Sequence, residues 1–230
     1  MDQPLIRLEH VTKVYGRGDS AVVAVDDVNL SLSGGRFIIL MGPSGSGKTT
    51  LLTMMGCLLK PTRGRIFIFD KEVTALDERR LPFIRRQYIG FIFQSFNLFP
   101  ALTALENVEL TLQLKRINGR AARETAIELL KKVGLEKRLH HLPEDLSGGE
   151  KQRVAVARAL AGDPPIILAD EPTGMLDSKT GRLIVTLLKE ISARDNRLVF
   201  MVSHDNRILD LADEILFMED GTIRRERDAA

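Results

Sequence analysis

The stretch Gly42-Pro43-Ser44-Gly45-Ser46-Gly47-Lys48-Thr49-Thr50 restricts this chain more than any other. It follows an apolar run, Phe37 to Met41, and leads into Leu51-Leu52-Thr53-Met54-Met55. That is the strand–loop–helix setting required by the pattern G-x-x-x-x-G-K-[ST]. Glycines 42, 45 and 47 let the backbone turn tightly and bring its N–H groups to phosphate oxygens, and a helix starting near Lys48 adds its partial positive end. All nine residues, Gly42 to Thr50, are therefore candidate nucleotide-binding residues. Lys48 is expected to reach the β- and γ-phosphates, and the Thr49 hydroxyl to ligate a Mg²⁺ that bridges them.

A chain of 230 residues suits one large domain or a domain with an insert. Charged residues make up 28% and hydrophobic ones 44%, the balance of a folded globular protein. The net charge of +2 is too small to argue for a nucleic-acid partner. The single cysteine, Cys57, has no partner for an internal disulfide and lies in what reads as the apolar continuation of the helix after the phosphate loop, a packing position. No apolar run approaches the roughly 20 residues of a membrane span, and the start carries no charged-then-apolar leader. The expected location is cytoplasmic.

Leu5 to Tyr15 and Ala21 to Leu32 alternate apolar and polar side chains around a Gly16–Asp19 turn and read as antiparallel strands. Gly64 to Asp70 gives another short strand, Glu78 to Arg86 a short arginine-rich helix, and Tyr88 to Phe93 a core strand ending at Gln94. Helical spacing takes over at Thr103, which forms a capping-box pattern with Glu106. A second helix spans about Arg120 to Val133, stopping at Gly134, and a third begins near Ser147 and ends before Gly162 and Pro164. Strands at 166–170 and 198–202, a helix around Lys179 to Ala193 and a terminal hairpin at Asp220-Gly221 complete the chain. The alternation implies an α/β fold with a mostly parallel sheet, an N-terminal antiparallel β subdomain (core 1–94 and 161–230) and an inserted α-helical subdomain (95–160); with the phosphate-loop motif it resembles a P-loop NTPase core of the RecA-like kind.

The acidic partners decide what the phosphate loop does. Ile166 to Asp170 is a continuous apolar strand ending in Asp170-Glu171, which puts two carboxylates at the carboxyl edge of the sheet, where ligands bind in open α/β folds. Asp170 is the candidate for holding Mg²⁺, and Glu171 for orienting and deprotonating the attacking water. The strand 198–202 ends in Ser203-His204-Asp205, so His204 is placed to contact the γ-phosphate. In Leu146-Ser147-Gly148-Gly149-Glu150, Ser147 caps a helix, Glu150 completes the box, and two glycines expose N–H groups at its positive end. Ser147, Gly148, Gly149 and Glu150 thus form a second anion site. Lys48 already serves one γ-phosphate, so this second cradle points to the nucleotide of another copy.

Gly42 to Thr49, Gln94, Leu146 to Glu150, Ile166 to Glu171, Leu176-Asp177 and His204 stand in the order and spacing of ABC-type ATPases, and the chain resembles that family over nearly its whole length. The resemblance implies a head-to-tail homodimer with two ATP molecules sandwiched between the phosphate loop of one copy and Ser147-Gly148-Gly149 of the other. It also implies that Tyr15 stacks on adenine, that Gln94 serves Mg²⁺ and the attacking water, and that Asp177 makes contacts across the dimer. Met175 departs from the pattern, since the position before Leu176-Asp177 usually carries Asn or Ala. An altered contact across the dimer is the expectation.

Phe91 to Gln94, Leu102 to Val108 and Glu171 to Gly174 leading to Asp177–Gly181 resemble the subfamily serving lipoprotein release and macrolide-type export. That resemblance implies integral membrane permease subunits on another chain, a periplasmic adaptor protein as a further partner, and peripheral attachment to the cytoplasmic side of the cell membrane. Gln94-Ser95-Phe96-Asn97-Leu98-Phe99-Pro100 would then receive a short cytoplasmic helix of the permease. With no residues beyond the terminal hairpin for the regulatory domain of sugar importers, an exporter or a force-transmitting complex is expected over a sugar importer. A small-molecule kinase has no use for the Ser147 segment, and a chromosome-organising ATPase needs a coiled coil longer than the roughly 50 residues between Gln94 and Ser147. A non-transporting scaffold ATPase of a cell-division or assembly complex is the alternative.

Overall fold

A computed structural model describes residues 3–225. Two sheets divide the strands. The smaller is antiparallel, in the order β2-β1-β4-β5, from β1 (Ile6–Tyr15), β2 (Val22–Leu32), β4 (Arg63–Ile68) and β5 (Lys71–Glu72). The larger has the order β10-β9-β3-β8-β7-β6, from β3 (Arg36–Met41), β6 (Ile89–Ile92), β7 (Ile166–Asp170), β8 (Leu198–Val202), β9 (Glu214–Glu219) and β10 (Thr222–Arg225). All its pairings are parallel except the β9–β10 hairpin.

Apart from Arg36 at the start of β3 and Asp170 at the end of β7, the central strands β3, β7 and β8 are apolar throughout, because both of their faces are covered. Side chains alternate between the faces. Phe37, Ile39, Ile167, Ala169, Val199 and Met201 join one apolar cluster with α6 (Ser178–Arg194) and with α3 (Ala104–Leu114), α4 (Gly119–Lys132) and α5 (Gly148–Leu160). Ile38, Leu40, Ile166, Leu168, Phe200 and Val202 join another with α1 (Lys48–Met55), α2 (Leu81–Tyr88) and the antiparallel sheet. The helical segment therefore shares a continuous core with one face of the parallel sheet.

Some boundaries differ from the sequence expectations. The arginine-rich helix starts at Leu81 instead of Glu78, with Pro82 in its first turn, where a missing N–H costs nothing. Tyr88 closes that helix and does not begin the strand. Cys57 is not in α1: the helix ends at Met55, and Cys57 follows with φ +55. It is nevertheless buried, and burial pushes its thiol up to about 12 against the opposing charge of Arg85.

Candidate active site

The parallel order β3-β8-β7-β6 brings four strand ends to one edge. The phosphate loop leaves β3, Ser203-His204 leaves β8, Asp170-Glu171 ends β7, and Gln94 follows β6. Hydrogen bonds from Ser203 N–H to Leu40 C=O (3.1 Å) and from Glu171 N–H to Val202 C=O (3.0 Å) carry the register beyond the strands into the site.

The loop itself is held open by glycine. Gly47 has φ +102, and a Cβ there would collide with the carbonyl oxygen of Ala24. Gly47 is also the N-cap of α1 and offers no side chain to its first-turn N–H groups. By contrast Thr103, Ser147 and Asp177 cap α3, α5 and α6 through their side chains. The hydroxyl of Ser46 is buried with no hydrogen-bond partner. Uncapped N–H groups at the start of α1, beside a cavity of about 200 Å³, suit a phosphate group. That cavity is lined by the loop residues Ser44, Gly45, Gly47, Lys48, Thr49 and Thr50, together with Ala24 and Glu171.

Lys48 is buried and donates to the carbonyls of Gly42 (2.8 Å) and Pro43 (2.6 Å), which leaves one of its three N–H donors for a phosphate. Burial lowers its pKa, with the carboxylates of Glu171 and Asp170 opposing the shift. Thr49 Oγ1 donates to Asp170 Oδ1 at 3.0 Å, so a hydroxyl and a carboxylate oxygen stand side by side. Burial raises the Asp170 pKa; the Thr49 hydrogen bond and Lys48 oppose this, and Glu171 adds to it. Among the described residues no three His, Cys, Asp or Glu side chains gather as a metal site. Thr49 and Asp170 fit the sparse protein ligation of Mg²⁺ in phosphate-transfer sites, where the substrate's phosphates complete the shell.

Glu171 Oε2 lies 3.1 Å from His204 Nδ1. The Glu171 backbone is in the left-handed region, φ +44, unusual for a residue with a side chain and tethered at both ends by Glu171 N–H to Val202 and Gly174 N–H to Glu171 C=O. Glu171 also borders a second cavity of about 280 Å³, walled by Ser203, His204, Asp205 and Arg207. Here the structure adds a pairing absent from the sequence reading: Arg207 binds Asp205 and the Ser178 hydroxyl, fixing the segment after His204 to the start of α6. The signal was the acid–x–base spacing of Asp205 and Arg207 directly after the histidine.

The remaining candidates stand apart from the phosphate cavity. Tyr15, at the end of β1, is 45% exposed with the Lys13 ammonium 5.3 Å from its ring centre. Gln94 is exposed and lies against Gly174, where a Cβ would clash with its amide. Ser147 caps α5 through a complete capping box, and the Glu150 carboxylate is taken up by Ser147 N–H (2.8 Å) and Arg138 Nε (2.8 Å). Those partners hold Glu150 down at about 2 and turn it toward its own helix cap. Gly148 and Gly149 pack against Leu176 and Thr180, so the α5 start touches the α6 start, where Asp177 accepts from Lys179 and Thr180 N–H.

A family model described as ABC transporter matches residues 25–174. The chain is 50% identical to the uncharacterized ABC transporter ATP-binding protein MJ0796 of Methanocaldococcus jannaschii, over 96% of each chain. It is 45% identical to the macrolide export ATP-binding/permease protein MacB of Hyphomonas neptunium, covering 97% of this chain but 34% of that protein. A dimeric structure of the MJ0796 cassette in a post-hydrolysis state with ADP and Pi superposes with a TM-score of 0.88 at 48% identity, covering 96% of this chain and 97% of that one. The chain belongs to the ABC transporter family as an ATP-binding cassette, and it is an ATPase. Among the described residues no helix is long and apolar enough to cross a membrane.

Proposed function

We propose that two copies of this chain close head to tail on ATP and drive a separate membrane permease, with export as the direction. One observation carries the reading. Lys48, Thr49, Asp170, Glu171 and His204 gather at one sheet edge, whereas Ser147, at a capped helix start, does not line the phosphate cavity of its own chain. A partner's Ser147-Gly148-Gly149 would complete the site, as the dimeric form of the related MJ0796 cassette supports.

In this scheme the Gly42–Thr50 loop and Tyr15 hold the nucleotide, and Lys48 neutralises charge on the β- and γ-phosphates. Thr49, Asp170 and Gln94 would hold Mg²⁺, which supplies charge stabilisation between the phosphates when bound. Glu171 orients the attacking water and accepts its proton. His204, with its Nδ1 3.1 Å from Glu171 Oε2, contacts the γ-phosphate and senses its departure. Asp177 sits where copies meet, and Glu150 acts by shaping the α5 cap. The α-helical segment 95–160, packed on the core 1–94 and 161–230, carries Ser147 to the partner copy.

The membrane subunit docks at the Phe96–Pro100 stretch, and the cassette sits peripherally on the cytoplasmic face. Similarity to macrolide export ATP-binding/permease proteins supports export as the direction; in this reading the substrate is a lipoprotein, a macrolide or a related amphipathic molecule, and a periplasmic adaptor is a further partner. Tagged Glu171→Gln protein purified from detergent-solubilised native membranes with ATP should bring down a multi-span membrane protein. Recovery only as a soluble homodimer, or with soluble partners, would contradict the transport reading in favour of a scaffold ATPase.

A further inference from the structure

Beside the Phe96–Pro100 stretch lies a groove of about 280 Å³ walled by Phe91, Phe93, Phe99, Thr111, Lys115 and Arg158. Phe91 and Phe93 stack at 4.9 Å, and Phe99 is 52% exposed. The groove has two cations in its wall and no carboxylate. They differ in what occupies them. The Arg158 guanidinium donates to the carbonyls of Phe96 and Asn97, holding the docking loop in place. Lys115 Nζ is shut off from solvent and has no hydrogen-bond partner. Its stem lies along Gly162, where a Cβ would overlap it. Asp163 is the carboxylate whose charge acts on Lys115, but it is bound to Arg197 and points into solvent.

An ammonium held away from water without a partner is strongly unfavourable, and a counter-charge brought beside it relieves that cost. Burial, reinforced by Arg197, pulls the Lys115 pKa down to about 8, so the charge is held at a disadvantage in the free chain. A four-carbon stem lets the amine turn into the groove with no backbone movement.

We propose that the membrane-subunit segment seated in this groove carries a carboxylate that pairs with Lys115; the inference rests on the docking described above. The aromatic wall then supplies the apolar contact, and Lys115 selects an acidic segment over a neutral or basic one.

The complex recovered from native membranes with tagged Glu171→Gln protein provides the test. Carbodiimide treatment, which joins an amine to a carboxyl as an amide with loss of water, should link Lys115 to an Asp or Glu of the membrane protein. Lys115→Met should raise the melting temperature of the free chain while weakening the complex about tenfold, and Lys115→Arg should restore it. A purely structural lysine would move both in the same direction. Recovery of the complex with no Lys115 cross-link, and with Lys115→Met retained as well as the parent, overturns the inference alone. Recovery of no membrane protein overturns the docking reading and this inference with it.

Discussion

Gly47, Glu171, Cys57 and Met175 each tie one residue type to one local constraint. At Gly47 the left-handed φ and the close Ala24 carbonyl leave no room for a Cβ. Gly47→Ala should therefore displace the loop and weaken ATP binding at least about tenfold by calorimetry, with the fold intact by circular dichroism. Glu171→Gln removes the proposed proton acceptor and should lower ATP turnover by about a hundredfold or more while leaving ATP binding in place. A variant turning over at the parent rate would exclude Glu171 as the base. The thiol of Cys57, buried and raised to about 12, should resist iodoacetamide at neutral pH until the chain is unfolded. Met175 is 60% exposed beside the α5 start, so Met175→Asn should change ATPase rate or cooperativity; an unchanged steady-state profile would contradict a role across the dimer. The motif residues were legible because chemistry fixes their types and spacing. The left-handed φ of Glu171 was not, since it arises from tethers to β8 and to the next turn.

The helices α3, α5 and α6 begin where side chains satisfy their first N–H groups, and this explains much of what the sequence made readable. The Thr103–Glu106 and Ser147–Glu150 boxes both form as their spacing predicts. The apolar runs of β3, β7 and β8 likewise announce strands covered on both faces. Leu81 and Cys57 mark the limits of such reading. Pro82 sets the start of α2, and the end of α1 is set by a turn in which Leu58 and Leu59 N–H reach back to Thr53 C=O. The two-residue β5 owes its existence to pairing with β4 and has no pattern of its own. The Glu150 cap makes a pH prediction. With its folded value near 2 and an ordinary value of 4.5, its stabilisation is complete above about pH 4.5. It is lost as pH falls through about 2. Glu150→Gln should flatten the acid limb of the stability profile and cost about 1 kcal/mol at neutral pH, measured by urea unfolding.

The whole molecule gathers Lys48, Thr49, Asp170, Glu171 and His204 at the carboxyl edge of neighbouring strands, while Ser147, at the start of α5, lies outside the phosphate cavity. The shared core between α3–α5 and the sheet makes that separation a property of the fold and not of one side chain. Closure between two copies is the central claim, and light scattering of Glu171→Gln protein tests it most directly. With saturating ATP the mass should double, and Ser147→Arg in the same background should return it to a single chain that still binds ATP. A mass that stays at one chain with ATP bound, or a dimer indifferent to Ser147→Arg, would contradict the composite site.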